Sequence, residues 1–249
     1  MSRKQTSHVA MTALLCLLSI VPASQAKHSQ ATHSKPGDFE FYLLTLSFAP
    51  SFCSLSPANR SKDECQQLTE AKFEQTPLTI HGLWPNRARV SVNKQPSSCA
   101  HVPLQLSNPV QTDLARYMPG GTDLEQHEWD KHGTCSGLSP DEYFSTAVSL
   151  AKHMNDVVAG VMRDKAMLGG QLNVRQLIDG VADKDQALAA SMVVSCAQPR
   201  ASGGQKPGAV VEEIRFTLSK EFKPIAASSV GMGQNSGCPG GAGRVPSVQ

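Results

Sequence analysis

Behind what reads as an export signal stand six cysteines, and an even set of that size ties a fold down before any helix or strand is considered. Arg3 and Lys4 precede the apolar run VAMTALLCLLSIV, and Ala23-Ser-Gln-Ala26 has the small-residue pattern of a signal-peptidase cut. Residues 1–26 therefore read as a secretory signal. The run is too short to span a bilayer comfortably, and no later segment holds the ~18 uninterrupted apolar residues of a membrane helix, so no span is expected in the mature chain. Cys16 lies inside the run without the small residues that a lipoprotein cleavage box has before its cysteine, and it leaves with the signal. Cys53, Cys65, Cys99, Cys135, Cys196 and Cys238 remain. Three disulfides are expected, formed in the periplasm or outside the cell. Short separation favours Cys53–Cys65, and the other four could pair as Cys99–Cys135 and Cys196–Cys238.

The signal removes two basic residues and no acid, so of 23 Lys and Arg 21 remain against 21 Asp and Glu, a net charge of zero. A neutral chain has no broad positive field with which to gather nucleic acid, so any polyanion must be gripped locally. The mature chain is long enough for one well-buried core. Residues 27–38 are polar and read as a flexible segment, and 39–249 as a single domain.

FEFYLLTLSFA reads as a strand buried on both faces, ended by Pro50, and LTIHGLW as a second, closed by Pro85. VSVNKQPSSCAHVPLQLSNP reads as loop. TDLARYMPGG is helical until Pro119 and Gly120, and Thr122 or Asp123 can cap the next helix, LEQHEWDKH, which Gly133 ends. Ser139-Pro140-Asp141-Glu142 starts another, with a hydroxyl cap, a first-turn proline and acids at the positive helix end. Short helices are expected over 173–179 and 185–191. SMVVSCA and AVVEEIRFTL read as strands, the second alternating apolar and polar residues, and the glycine-rich tail as loop held only through Cys238. Strands and helices without a strict βαβ rhythm predict an α+β fold with a central, mainly antiparallel sheet.

The stretch HEWDKHGTC packs the imidazoles of His127 and His132, the Glu128 carboxylate and the Lys131 ammonium into six residues. At ~100° per residue, with His127 as zero, Lys131 falls at roughly 40°, Glu128 at about 100° and His132 at about 140°, all on one face; Trp129, near 200°, is better placed to anchor the helix. A solvated charged face fits Glu128 with His132 but fits two histidines beside a lysine poorly, because those cations repel unless an anion sits among them. The zinc-peptidase helix needs histidines four apart and these are five apart, which argues against a metal. The remaining option is metal-free acid–base chemistry around an anion. Cleaving RNA through its own 2′-hydroxyl needs a proton acceptor, a proton donor for the departing 5′-oxygen and a cation for the charge growing on phosphorus. Imidazoles suit both proton steps and lysine the third. His81 in TIHGLWPN, just before a turn, offers a further imidazole; a lone strand histidine is more often a core residue, but beside this helix it becomes a candidate.

TIHGLWPN and HEWDKHGTC together closely resemble the two catalytic segments of the ribonuclease T2 family, secreted endoribonucleases with little base preference, with the bacterial ribonuclease I-like branch most similar. A looser correspondence runs from Phe41 to Cys135 and again over VVSCA and EEIRFTLSKEFKPI; none is read over 137–190. The resemblance implies that His81 and His132 are the proton-transfer pair, with Glu128 and Lys131 steadying the pentacoordinate phosphorane and His127 binding phosphate. His132 is assigned as base and His81 as acid, two roles that the sequence leaves exchangeable. It implies a 2′,3′-cyclic phosphate intermediate, no metal or other cofactor, RNA as substrate, and DNA spared because deoxyribose lacks the attacking hydroxyl. It also implies a Cys99–Cys135 bridge. Where relatives often carry tryptophan before the proline this chain has Phe48-Ala49-Pro50, so Phe48 is either a base-stacking or a structural residue, and Trp84 likewise. The chain is expected to act as a monomer. A metal-dependent secreted phosphodiesterase using the same histidines, and a non-catalytic RNA-binding protein on the same fold, are the rival readings. Asn59-Arg-Ser61 is a glycosylation sequon that matters only in a eukaryotic host, and His28, His33, His101 and His153 read as surface or core fillers.

Overall fold

A computed structural model describes residues 34–200 and 208–248 of the chain. The signal read at 1–26, the first part of the segment expected to be flexible, and His28 and His33 lie outside the described residues. Along the chain, strand β1 (Phe41–Ser47) is followed by four short helices, α1 (Ala49–Leu55), α2 (Pro57–Arg60), α3 (Asp63–Gln66) and α4 (Glu70–Gln75), and by β2 (Thr79–Asn86). Helices α5 (Asn108–Tyr117), α6 (Gly121–Lys131), α7 (Pro140–Met154) and α8 (Gly160–Asp164) come next. After β3 (Gln171–Asn173), α9 (Val174–Ala182) and α10 (Gln186–Ser191) lead to β4 (Met192–Ala197), β5 (Val210–Leu218) and the short β6 (Asn235–Ser236) and β7 (Ala242–Arg244).

The sheet runs β2-β1-β5-β4-β6, with β7 beside β5 and β3 beside β7. The three longest ladders, β1–β2, β1–β5 and β4–β5, are antiparallel, as an α+β fold with a mainly antiparallel sheet requires. Central β1 is buried on both faces. Tyr42, Leu44 and Leu46, with Phe48 just beyond, enter the main core, whereas Phe41 and Leu43 belong to a smaller apolar cluster with Val230 and Trp84. That second face is the floor on which the candidate site is built.

The helices hold β2 in place. Tyr143 on α7 donates its hydroxyl to Leu83 O at 2.6 Å, and Asn155, just past α7, bonds both Leu78 N and Leu78 O, so the start and middle of β2 are pinned from one direction. The expected cap of α7 is present in full: Ser139 Oγ accepts from Glu142 N while the Glu142 carboxylate accepts from Ser139 N. All three disulfides pair as Cys53–Cys65, Cys99–Cys135 and Cys196–Cys238, with Cα–Cα separations of 5.7, 4.9 and 4.8 Å.

Several boundaries differ from the sequence reading. Helix α6 begins at Gly121, with Gly120 at its N-cap and no side-chain cap, because Gly121 takes a φ of +67° that lets the chain turn straight from α5 into α6; Thr122 and Asp123 are inside the helix. Strand β2 runs through Pro85, whose missing N–H falls on an edge strand where a ladder bond is not required. The tail is held by more than Cys238: β6 pairs with β4, β7 with β3 and β5, and Val245 N bonds Gly170 O. Within the segment expected to be flexible, Gly37 N bonds Cys135 O at 2.9 Å and Asp38 pairs with Arg87, so its last residues are tied to the domain. His101 and His153 are exposed. Asn59 bonds Phe52 O through its amide nitrogen at 2.8 Å, so the sequon's acceptor atom serves the local fold.

Candidate active site

Strand β2 does not pair evenly with β1. Gly82 lies opposite Thr45 and Ile80 opposite Leu46, so His81 between them has no partner across the ladder. Such a bulge bends the strand and re-aims the extra side chain, and His81 turns into a cleft of about 630 Å³ that is also lined by Trp84, His127, Glu128, Lys131, His132 and Arg215. An adjoining cavity of about 590 Å³ shares His81 and His127 and is walled by acids, among them Asp63, Glu64 and Glu212. The two sequence segments from which the candidate catalytic residues were read therefore face one space.

Helix α6 is anchored by Trp129, which is 1% exposed and donates its indole N–H to Val102 O at 2.6 Å. With that side fixed, Glu128 turns inward and is buried, while His127 and Lys131 remain exposed on the cleft side. His132 is the C-cap rather than part of the helix. Gly133 is needed immediately after it, since a Cβ there would overlap the Trp129 ring. The Cys99–Cys135 bridge and a bond from Ser98 N to Lys131 O at 2.9 Å fasten this turn to the preceding loop.

Trp84 joins the parts. Its indole N–H donates to Glu128 Oε2 at 2.6 Å, its ring stacks on that of His132 with centroids 5.2 Å apart, and it meets His81 edge-on at 5.1 Å. Gly82 makes that approach sterically feasible, because a Cβ at this position would overlap both the Glu128 carboxylate and the Trp84 indole nitrogen. The Trp84 N–H and one face of its ring are thus both engaged within the site. Phe48, the other aromatic singled out as base-stacking or structural, is 0% exposed and packs in the main core.

Two neighbours of the candidate site escaped sequence reasoning. Glu213 on β5, 4% exposed, lies 2.7 Å from His81 Nδ1 through Oε1, and its Oε2 accepts from Arg215 Nε at 2.9 Å and Nη2 at 2.7 Å. Alternation alone makes the polar positions of β5 look like a solvent face. They lie instead on the site floor, Arg215 opposite Thr45 and Glu213 opposite Ser47. The available signal was a Glu-x-Arg pair on a strand whose apolar neighbours are all core, but nothing in the sequence tied it to His81.

Electrostatics drives the two candidate imidazoles apart. Burial pushes His132 down to about 3, and the charges of Lys131, His127 and His81 push the same way. For His81 burial also works against the charged ring, but the hydrogen bond and charge of Glu213, helped by Glu128, outweigh it and raise the group above its ordinary value despite Arg215. Glu128 is raised by burial, with His81, the Trp84 bond and Lys131 opposing. Burial also disfavours the Glu213 carboxylate, yet its His81 bond and Arg215 hold it below the ordinary range. The neutral form of His132 is therefore strongly favoured, whereas the protonated form of His81 is favoured relative to a free imidazole. Among the described residues no three His, Cys, Asp or Glu side chains are arranged around one metal position.

The model of the Ribonuclease T2 family matches residues 39–227. A ribonuclease of Aeromonas hydrophila is 32% identical over 146 residues, 59% of this chain and 60% of that protein. Ribonuclease I of Escherichia coli strain K12 is 32% identical over 177 residues, 59% of this chain and 66% of that one. The chain thus spans less than two thirds of the length of these relatives. Among solved structures, ribonuclease MC1 from the seeds of bitter gourd superposes with a TM-score of 0.61 at 19% identity, covering 83% of this chain and 100% of that chain. The self-incompatibility associated SF11-RNase of Nicotiana alata gives 0.57 at 18%, covering 81% and 94%. At such identities the structural likeness is one of fold.

Proposed function

The chain belongs to the Ribonuclease T2 family, and from that premise we propose that it is an endoribonuclease cleaving single-stranded RNA with little base specificity, by transphosphorylation through a 2′,3′-cyclic phosphate. His132, neutral at working pH, takes the proton of the 2′-hydroxyl. The 2′-oxygen attacks phosphorus, the bond to the 5′-oxygen breaks, and His81 gives its Nε2 proton to the leaving oxygen. Each imidazole ends in the protonation state in which the other began, and water attack on the cyclic ester with the roles reversed restores both. Lys131 and Glu128 steady the phosphorane, the lysine by charge and the carboxyl group from the floor of the cleft; His127 grips a phosphate oxygen at the rim.

The observation that carries this reading is the pair of imidazoles lining one cleft, their proton affinities pushed in opposite directions by their surroundings, the pattern by which environments assign an acid and a base. The cavities that meet at His81 support a substrate with a nucleoside on each side of the scissile diester. The mechanism needs no cofactor and spares DNA. Three disulfides support action in an oxidising compartment, the periplasm or the extracellular space. The deciding experiment is product analysis of a dinucleotide digest in excess chelator. Cyclic-phosphate ends on the first product are expected, whereas activity abolished by the chelator, or linear ends with no cyclic precursor, would transfer the site to metal-assisted hydrolysis.

A further inference from the structure

We propose that Glu213 is a positioning residue for this reaction, seated on β5 to hold the His81 ring by Nδ1 so that Nε2 faces the diester, with Arg215 holding Glu213 in turn. The role rests on the endoribonuclease reading above and deepens it by saying why His81 is the acid.

His81 sits at a bulge, where no residue opposite fixes its backbone or side chain. A ring in that position needs an external buttress, and Glu213 is the group that supplies one, at 2.7 Å. A bond at Nδ1 decides the orientation of the ring and leaves Nε2 as the nitrogen turned to the cleft, where Glu128 Oε1 lies 3.9 Å away. A carboxylate only 4% exposed is costly to keep charged unless both oxygens are engaged. Here the division is complete: Oε2 is taken by two nitrogens of Arg215, and Oε1 is left for the imidazole. A purely structural Glu213–Arg215 pair would not need its second oxygen aimed at a side chain two strands away.

The contrast with His132 sharpens the point. Its Nδ1 is buried and has no hydrogen-bond partner among the described residues, and the neighbouring charges that act on it, Lys131, His127 and His81, all disfavour its protonation. One imidazole of the pair is buttressed by a carboxylate and the other is not, and the buttressed one is the ring that can carry a proton to the leaving oxygen. The charged and titratable groups that share a cavity with His81 include Glu212, Glu213 and Arg215 from β5, Asp123, His127, Glu128 and Lys131 from α6 with His132 at its end, Asp63 and Glu64 from α3, and Lys62 just before it.

The test is Glu213→Gln, which keeps an oxygen for Nδ1–H and removes the charge. With circular dichroism confirming the fold, the alkaline limb of kcat/KM against pH is expected to move down by about one unit or more, so that activity at about pH 8 falls roughly tenfold, while KM and the rate near pH 5 stay within about threefold. Nuclear magnetic resonance of the His81 ring gives a readout independent of turnover. In the unsubstituted protein the ring is expected to titrate above the ordinary value of about 6.5, and in Glu213→Gln at lower pH. An alkaline limb at the same pH in both proteins, or a His81 ring titrating at or below its ordinary value in the unsubstituted protein, would overturn the role. An unsubstituted protein that leaves RNA intact would remove the endoribonuclease reading itself, and this role with it.

Discussion

Replacing Gly82 by alanine inserts a single methyl group at the tightest point of the site. The new carbon would overlap Glu128 Oε2 and Trp84 Nε1, and would stand 2.9 Å from Glu128 Cδ, closer than real Cβ atoms come. Little can yield. Glu128 is held by its 2.6 Å bond from Trp84 and has a side chain only 2% exposed, while Gly82 itself is fixed in the ladder opposite Thr45. Overpacking of this kind costs about 1–3 kcal/mol, and losing a hydrogen bond to a buried charged group about 1.5–3 kcal/mol. One displacement produces both, so the two overlap, and a loss of about 2–4 kcal/mol in unfolding free energy is expected from urea titration. Because Glu128 and the ring stacked on His132 move together, kcat on a dinucleotide should fall by about 10²-fold, the scale of a shift near 1 Å at a reacting centre. Gly208→Ala is the control: among the described residues no atom lies within 4 Å of its Cβ position, and neither quantity should change appreciably. A Gly82→Ala protein with control-like stability and kcat would refute the claim that this contact sets the position of Glu128.

Lys131→Ala should lower kcat by about 10²–10³-fold with a smaller change in KM, because in the proposed mechanism its charge acts most on the phosphorane; a defect confined to KM in steady-state kinetics would contradict that. His132 gives a signed effect on stability. The unfolded chain protonates it below about 6.5 whereas the folded protein resists until about 3, so between these values the unfolded state binds more protons and stability falls as pH falls. His132→Gln should therefore lose less stability than the parent between about pH 6.5 and about pH 4, read from urea midpoints, and an equal loss would count against the shift. Trp129→Ala should cost about 3–5 kcal/mol of unfolding free energy and take activity with it, since this side chain anchors α6. A loss below about 1 kcal/mol would mean that the helix is held by something else.

What could be read from the sequence was local in the chain. The strand β1, the capped start of α7, the short-range Cys53–Cys65 bridge and the crowding of His127, Glu128, Lys131 and His132 all depend on residues a few positions apart, where periodicity, capping chemistry and like-charge repulsion act directly. What was not legible depends on which strand lies beside which. Glu213 is 132 residues from His81 in the chain, and its alternating strand gave the pattern of a solvent-facing edge. An alternating strand is solvated on its polar face only if nothing covers that face. Here α6, the turn carrying His132 and the bulged β2 close over the side of the sheet that bears Glu213 and Arg215, and so a pattern that reads as surface becomes the floor of a cleft. The bulge was hidden for the same reason, since it exists only in the register of β2 against β1. The charges of β5 are thus the residues on which sequence and structure differ most. A group whose role depends on being buried beside a distant partner leaves no mark in its own segment, whereas a helix face dense with cations announces the anion it must meet.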